Sequence, residues 1–224
     1  MSLKPTKKTD LGKAWLRGRA ERSKAILIHP EYHLIVTEGT KTEPLYFEAI
    51  KEKVNRDYKG RINVKVEGTG HNTVGLVNRA MKLVSNSANG YKHVWVVYDK
   101  DDFTSEDFNH ASDLCSSIST ETTVYHALWS NQCIELWFLL HFDFFHSDIH
   151  RDGYYPKLSG YLEKIGAGEY KKNRLDMYDV LRPYMDRAIL FAKKLAKVNE
   201  GREPSECVPG TEVYKIVEML RVYL

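Results

Sequence analysis

"HVWVVYD", residues 93 to 99, runs apolar without a break from Val94 to Tyr98 and stops on Asp99, with "KDD" immediately behind it. Such a run, rich in β-branched and aromatic residues, predicts a strand covered on both faces, as in a parallel sheet. Upstream, "HLIVT" (33 to 37) is a second run of the same kind, and it too ends on a carboxylate, Glu38 of "VTEGTKTEPLYF" (36 to 47). From Thr42 the pattern changes to Leu45, Tyr46, Ala49, Ile50 and Val54, the spacing of an amphipathic helix. "INVKVE" (62 to 67) alternates as a further strand, and after "GTGHNT" (68 to 73) a helix is marked by Val74, Val77, Ala80, Met81 and Val84. Beyond Asp99 a helix is expected from about Ser105 to Ser119, followed by a fourth strand in "TTVYHALW" (122 to 129).

Strands that alternate with helices imply crossover connections and a covered sheet. The expected fold class is therefore α/β: a mainly parallel four-stranded sheet flanked by helices, with additional C-terminal helices. From Cys133 onward the patterns are helical only: a short one in "CIELWFLLHF", weak ones near 157 to 166, a long one from Leu175 to Val198 that Pro183 kinks, and a last one from Thr211 to Tyr223. The expected organisation is a basic arm over 1–30, an α/β core over 31–143 and a helical region packed on that core over 144–224.

Composition narrows the function classes. A chain of 224 residues, 42% of them hydrophobic, can bury a core of its own. The longest apolar runs, such as "LWFLLHF" (136 to 142), fall far short of the roughly 20 residues needed to cross a bilayer, and the basic N-terminus has no apolar signal core. A soluble, cytoplasmic protein with no membrane partner is expected. Cys115, Cys133 and Cys207 are widely separated, without zinc-site spacing or the even count of a disulfide framework. The net charge of +3 is unevenly spread, because residues 1 to 24 carry eight Lys or Arg against Asp10 and Glu21. A cationic arm of this kind is either a solvated tail or a contact for nucleic-acid phosphates.

In an open parallel sheet the functional site lies outside the carboxyl ends of the strands. Here the first strand ends in Glu38, the third in Asp99 with Asp101 and Asp102 behind it, and the fourth runs into "WSNQCIE", which supplies Ser130, Asn131 and Glu135. Acids gathered at one edge repel unless a cation sits among them, and hard oxygen ligands favour magnesium, manganese or calcium. Asp and Glu are also common after strands simply because they cap helices. Glu43 is read in that way, as a first-turn residue, and Asp102 and Glu106 as surface or capping groups. Glu38, Asp99 and Asp101 are taken as the metal and catalytic set, and Glu135 as a further site-facing carboxylate, with Ser130 and Asn131 shaping its loop. Gly39 is expected to let the backbone turn tightly at the strand end, and Tyr98 to face away from Asp99 by strand alternation.

A glutamate after the first strand followed by a strand ending in DxD resembles the Toprim domain of topoisomerases, primases and OLD-type nucleases. "VTEGTKTEPLYF", "VVYDKDD" and "SNQCIELWFLLHF" together resemble the RloB-like family, and "PGTEVYKIVEML" is similar to that family's C-terminal end. The resemblance implies a Toprim-like, Rossmann-like fold, with Glu38 in the place of the motif glutamate and Asp99 and Asp101 in the place of the DxD. It also implies Mg2+ (or Mn2+) as cofactor, and an association with bacterial abortive infection and antiviral defence, with a possible partner ATPase from the same locus.

A site of that kind suits metal-dependent phosphodiester hydrolysis of RNA or DNA, with Glu38 as general acid or base. The alternative is a non-catalytic nucleotide- or nucleic-acid-binding component of a defence complex. An aspartyl-phosphate phosphatase is the weakest reading, since its nucleophilic Asp normally follows the first strand. Lys41, His71, Lys171, Lys172 and Arg174 are candidate nucleic-acid contacts, against the plainer readings of a strand–helix turn for "GTGHNT" and a solvated face for "YKKNR". His141 is expected to be a packed core histidine.

Overall fold

The computed structural model describes residues 30–101 and 103–224. Apart from its last position, the basic arm expected over 1–30 lies outside the described residues, as does Asp102. Four long strands, β1 (Glu31–Thr37), β2 (Ile62–Gly68), β3 (Tyr91–Asp99) and β4 (Val124–Asn131), pair parallel. Between them lie α1 (Thr42–Asp57), α2 (Thr73–Ser85) and α3 (Ser105–Ser117). A fifth strand, β5 (Gly210–Thr211), runs antiparallel on β4 and completes the order β2-β1-β3-β4-β5, a Rossmann-like sheet. The sequence led to four strands, with Thr211 opening a helix. A two-residue strand has no alternation to read, and the last helix starts only at Tyr214.

Alternation along each strand divides the core into two layers. Ile35, Trp95, Val97 and Leu128 point into one, shared with α1 and with every helix after β4. Leu34, Val36, Val94, Val96 and Tyr98 point into the other, under α2 and α3. The helices after β4 are α4 (Glu135–Leu139), α5 (Tyr154–Lys164), α6 (Met177–Leu181), α7 (Met185–Val198) and α8 (Tyr214–Leu220). The long pattern read from 175 to 198 is divided at Pro183, where a 3-10 turn over Arg182–Tyr184 separates α6 from α7. α4 has only five residues, yet all five are buried. It is tied to α1 by the Trp137 indole, which donates to the Tyr46 hydroxyl at 3.0 Å and so leaves neither buried polar atom stranded. His141, behind α4, is fully buried, its ring edge-on to Trp137 and its Nδ1 at 2.9 Å from the Trp137 carbonyl. No described helix is long and apolar enough to cross a membrane.

The sheet register brings the strand ends together. Thr37 lies opposite Val97 and Asp99 opposite Ser130, so the last residues of β1, β3 and β4 form one rim.

Candidate functional site

At that rim the chain forms a cleft of about 240 Å3 lined by Glu38, Gly39, Thr40, Lys41, Thr42, Glu43, Asp99, Asp101, Cys133, Ile134, Glu135 and Lys172. The acids arrive from three strand ends, those of β1, β3 and β4. Glu38 stands one residue beyond β1, where its N–H still donates to the Val97 carbonyl at 2.9 Å and its carbonyl accepts the Gly70 N–H at 2.9 Å. Asp99 closes β3, and its backbone N–H donates to Glu38 Oε2 at 3.4 Å. Asp101, at φ +37°, donates its N–H to the Gln132 carbonyl at 3.1 Å. Glu135 opens α4 and is only 2% exposed; its Oε1 accepts the Tyr170 hydroxyl at 2.7 Å.

Glu43 stands in the first turn of α1, as read from the sequence, and the structure adds a second place for its carboxylate. It is buried and shares the cleft with the other four carboxylates. Gly39 explains how: a Cβ on it would lie 2.2 Å from Glu43 Oε2, so the glycine leaves the space into which the Glu43 carboxylate folds back. Gly39 is not among the glycines with positive φ, so the space it leaves, and not a left-handed backbone, is what a side chain there would disturb. Gly68 serves the same corner, because a Cβ there would meet Pro44 Cγ at 2.8 Å and the Gly39 carbonyl at 3.1 Å.

Burial and mutual proximity raise three of the cleft acids, Glu38, Glu43 and Asp99. Burial first, then the charges of Asp101 and Glu43, push Glu38 up to about 7 despite the hydrogen bond from Asp99. Burial first, then Glu135 and Asp101, also raises Glu43. Asp99 lies well above the usual carboxylate range through burial and the four neighbouring acids, and its Oδ1 is buried with no hydrogen-bond partner. A buried carboxylate oxygen without a partner is costly unless something positive or a donor meets it. An all-carboxylate donor set fits a hard divalent cation. Among the described residues, however, no three of these carboxylates bring ligand oxygens within 4.8 Å of one another. Asp101 is ion-paired with Arg151 instead.

The one described group that does meet that spacing is Glu31, His33 and His93, at the opposite rim where the strands begin. A hydrogen-bond network accounts for it. The buried Trp95 indole donates to His33 Nδ1 at 3.2 Å, so His33 carries its proton on Nε2 and gives it to Glu31 Oε1 at 2.9 Å. Metal binding through Nε2 would require that proton on Nδ1, against the indole N–H.

The candidate nucleic-acid residues are dispersed. Lys41 and Lys172 line the cleft, with Lys172 Nζ 5.2 Å from the Tyr155 ring centroid. Lys171 and Arg174 line a separate depression with Glu169, Asn173 and Asp176, where Arg174 holds Asp176 through two bonds of 2.6 and 3.0 Å. His71 is exposed on the loop after β2 and does not line the cleft. Ser130 and Asn131 do not line it either. Ser130 Oγ bonds Thr211 Oγ1 at 2.9 Å, and Asn131 Nδ2 donates to the Ser205 carbonyl at 3.2 Å, so both fasten β4 to the C-terminal segment. Tyr98 packs on Phe108 in the opposite core layer from the cleft-side strand residues. Tyr170 and Arg151 were not legible in advance; both come from the weakly patterned stretch between 144 and 174.

Fold and site together define an α/β protein of Rossmann-like topology with a carboxylate-lined cleft at the carboxyl ends of its parallel strands. The family model described as RloB-like protein matches residues 33–220, and the chain belongs to the RloB-like family. No curated protein and no solved structure matches it.

Proposed function

We infer that this protein is a metal-dependent phosphodiester hydrolase of the Toprim type, acting on nucleic acid, and that its family's association with abortive infection reflects a role in anti-phage defence. The observation that carries this reading is the unpartnered, buried Oδ1 of Asp99 in a cleft that also holds Glu38, Glu43, Asp101 and Glu135. Glu38, Asp99 and Asp101 would hold Mg2+ or Mn2+, which when bound supplies the positive charge that stabilises a phosphodiester oxygen in displacement. Toprim-like use of these residues rests on the sequence resemblance.

The chain's own groups account for the remainder. Glu38 lines the cleft and is only partly buried, so it can take a proton from water or return one to the leaving oxygen. Tyr170 fixes Glu135, one of the residues lining the cleft, by donating to Oε1. Lys41 and Lys172 draw a polyanion towards a cleft that would otherwise repel it.

The test is incubation of the purified chain with single- and double-stranded DNA, RNA and tRNA in Mg2+, Mn2+ or EDTA, beside an Asp99→Asn variant. Cleavage that needs metal and is lost in the variant supports the reading. Metal-dependent binding without cleavage in every case would turn the assignment to a nucleic-acid-binding or sensing component.

A further inference from the structure

Arg151 is the guanidinium paired with a cleft acid. It opens the 3-10 turn Arg151–Gly153, after the irregular stretch that follows α4, and its side chain is 26% exposed. Its position is set by the main chain. The Arg151 N–H donates to the side-chain Oε1 of Gln132 at 2.7 Å, while the Gln132 carbonyl accepts the Asp101 N–H at 3.1 Å. One residue thus holds the backbones of both ion-pair partners, unlike an ordinary surface pair, in which two long side chains must find each other. Asp101 is held in turn at φ +37°, in the left-handed region that, glycine apart, Asp and Asn enter most readily.

We propose that Arg151 and a divalent cation compete for Asp101, and that the guanidinium displaced by the cation becomes the group that binds the substrate phosphate. The second half rests on the reading of the cleft as a phosphodiester site. Among the described ion pairs, the one that involves a cleft acid is Asp101 with Arg151, and a guanidinium left beside an arriving divalent cation would be repelled by it. The fork of donors that fits a carboxylate fits a phosphate equally well, whereas the ammonium groups of Lys41 and Lys172 are point charges. Loading the cleft with metal would therefore create the anion-binding group in the same step, and the metal-free protein would hold nucleic acid weakly.

Two titrations test this. Mn2+ binding is measured by calorimetry for the wild type, Arg151→Gln and Lys172→Gln, the last being a cleft cation with no bond to Asp101. The expected result is an affinity at least about fivefold higher in Arg151→Gln, and a change of less than about twofold in Lys172→Gln. Binding of short fluorescent RNA and DNA strands is then measured with Ca2+ or EDTA. Ca2+ is expected to tighten wild-type binding about tenfold or more, and Arg151→Gln to lose that gain while still binding the metal. Arg151→Lys keeps a charge for Asp101 but not the fork, and is expected to retain the fold with only part of the gain, so a folding defect in Arg151→Gln does not leave the matter open. Unchanged or weakened Mn2+ affinity in Arg151→Gln overturns the competition, and a full Ca2+-dependent gain in that variant overturns the phosphate role. The hydrolase reading fails separately: if no variant cleaves anything yet Arg151→Gln binds Mn2+ more tightly, that reading falls and the competition stands.

Discussion

The carboxylate of Glu38 accepts the backbone N–H of Asp99 at 3.4 Å, so the two strand ends are joined by one acid resting on the main chain of another. The bond favours the ionised form of Glu38, while burial and its acidic neighbours oppose it. Their mutual repulsion is held in check by the paired strands, not by any attraction between the side chains.

Asp99→Asn should therefore leave stability at pH 7.5 unchanged or raise it by up to ~1 kcal/mol, because it removes a buried group that resists charging. The same change should abolish metal-dependent hydrolysis. Thermal unfolding with and without magnesium checks this: the wild type should gain more in Tm than the variant. Equal gains would remove Asp99 from the metal set.

Glu135→Gln should preserve the fold and reduce turnover by about a hundredfold if the carboxylate acts on the reacting phosphate. Tyr170→Phe should cost about 1 kcal/mol through the lost bond to Oε1. Unfolding and rate measurements on both single variants and the double variant should show non-additive effects. A fully active Glu135→Gln protein would make this residue a helix-start acid only.

Gly39→Ala should destabilise by about 1–3 kcal/mol, since its Cβ would lie 2.2 Å from Glu43 Oε2. In a Glu43→Ala background the obstruction is absent, and the cost of Gly39→Ala should fall to a few tenths of a kcal/mol. Urea denaturation of the four proteins decides. An equal cost in both backgrounds would place the constraint in the backbone of residue 39.

The opposite rim carries the pH prediction. Burial, before any charge effect, pushes His33 down to about 4 from its ordinary 6.5, with Glu31 opposing the shift and His93 and Lys92 adding to it. Trp95 and Glu31 occupy its two nitrogens, and His126 lies 2.9 Å beyond His93. Below pH 6.5 the unfolded chain takes up a proton that folded His33 refuses until about 4. Its contribution is thus complete above 6.5 and is lost as pH falls through that window, by up to about 3 kcal/mol. His33→Gln does not titrate and keeps one acceptor and one donor. The stability gap between wild type and His33→Gln should shrink from pH 7.5 to pH 4.5 in urea unfolding; a constant gap would refute it.

Strand ends were legible because apolar runs that stop on an acid, as at Thr37–Glu38 and Val97–Asp99, carry both the strand and its polarity. Pro183 marked its break for an equally local reason. Glu43 was hidden because a first-turn acid already has a sufficient local role, and the space above Gly39 exists only once the loop is folded. Tyr170 and Arg151 reach the cleft by tertiary packing from a stretch whose periodicity says little. His33, His93 and His126 each look incidental in sequence, since only the pairing register sets them side by side.

The cleft draws its walls from Glu38 near the start of the described chain to Lys172, with Tyr170 bracing Glu135 from behind. During synthesis, then, the first three strands can emerge and pair while α4, the Arg151 turn and Tyr170 are still missing. A nascent or prematurely terminated chain holds acids without the groups that complete and restrain them.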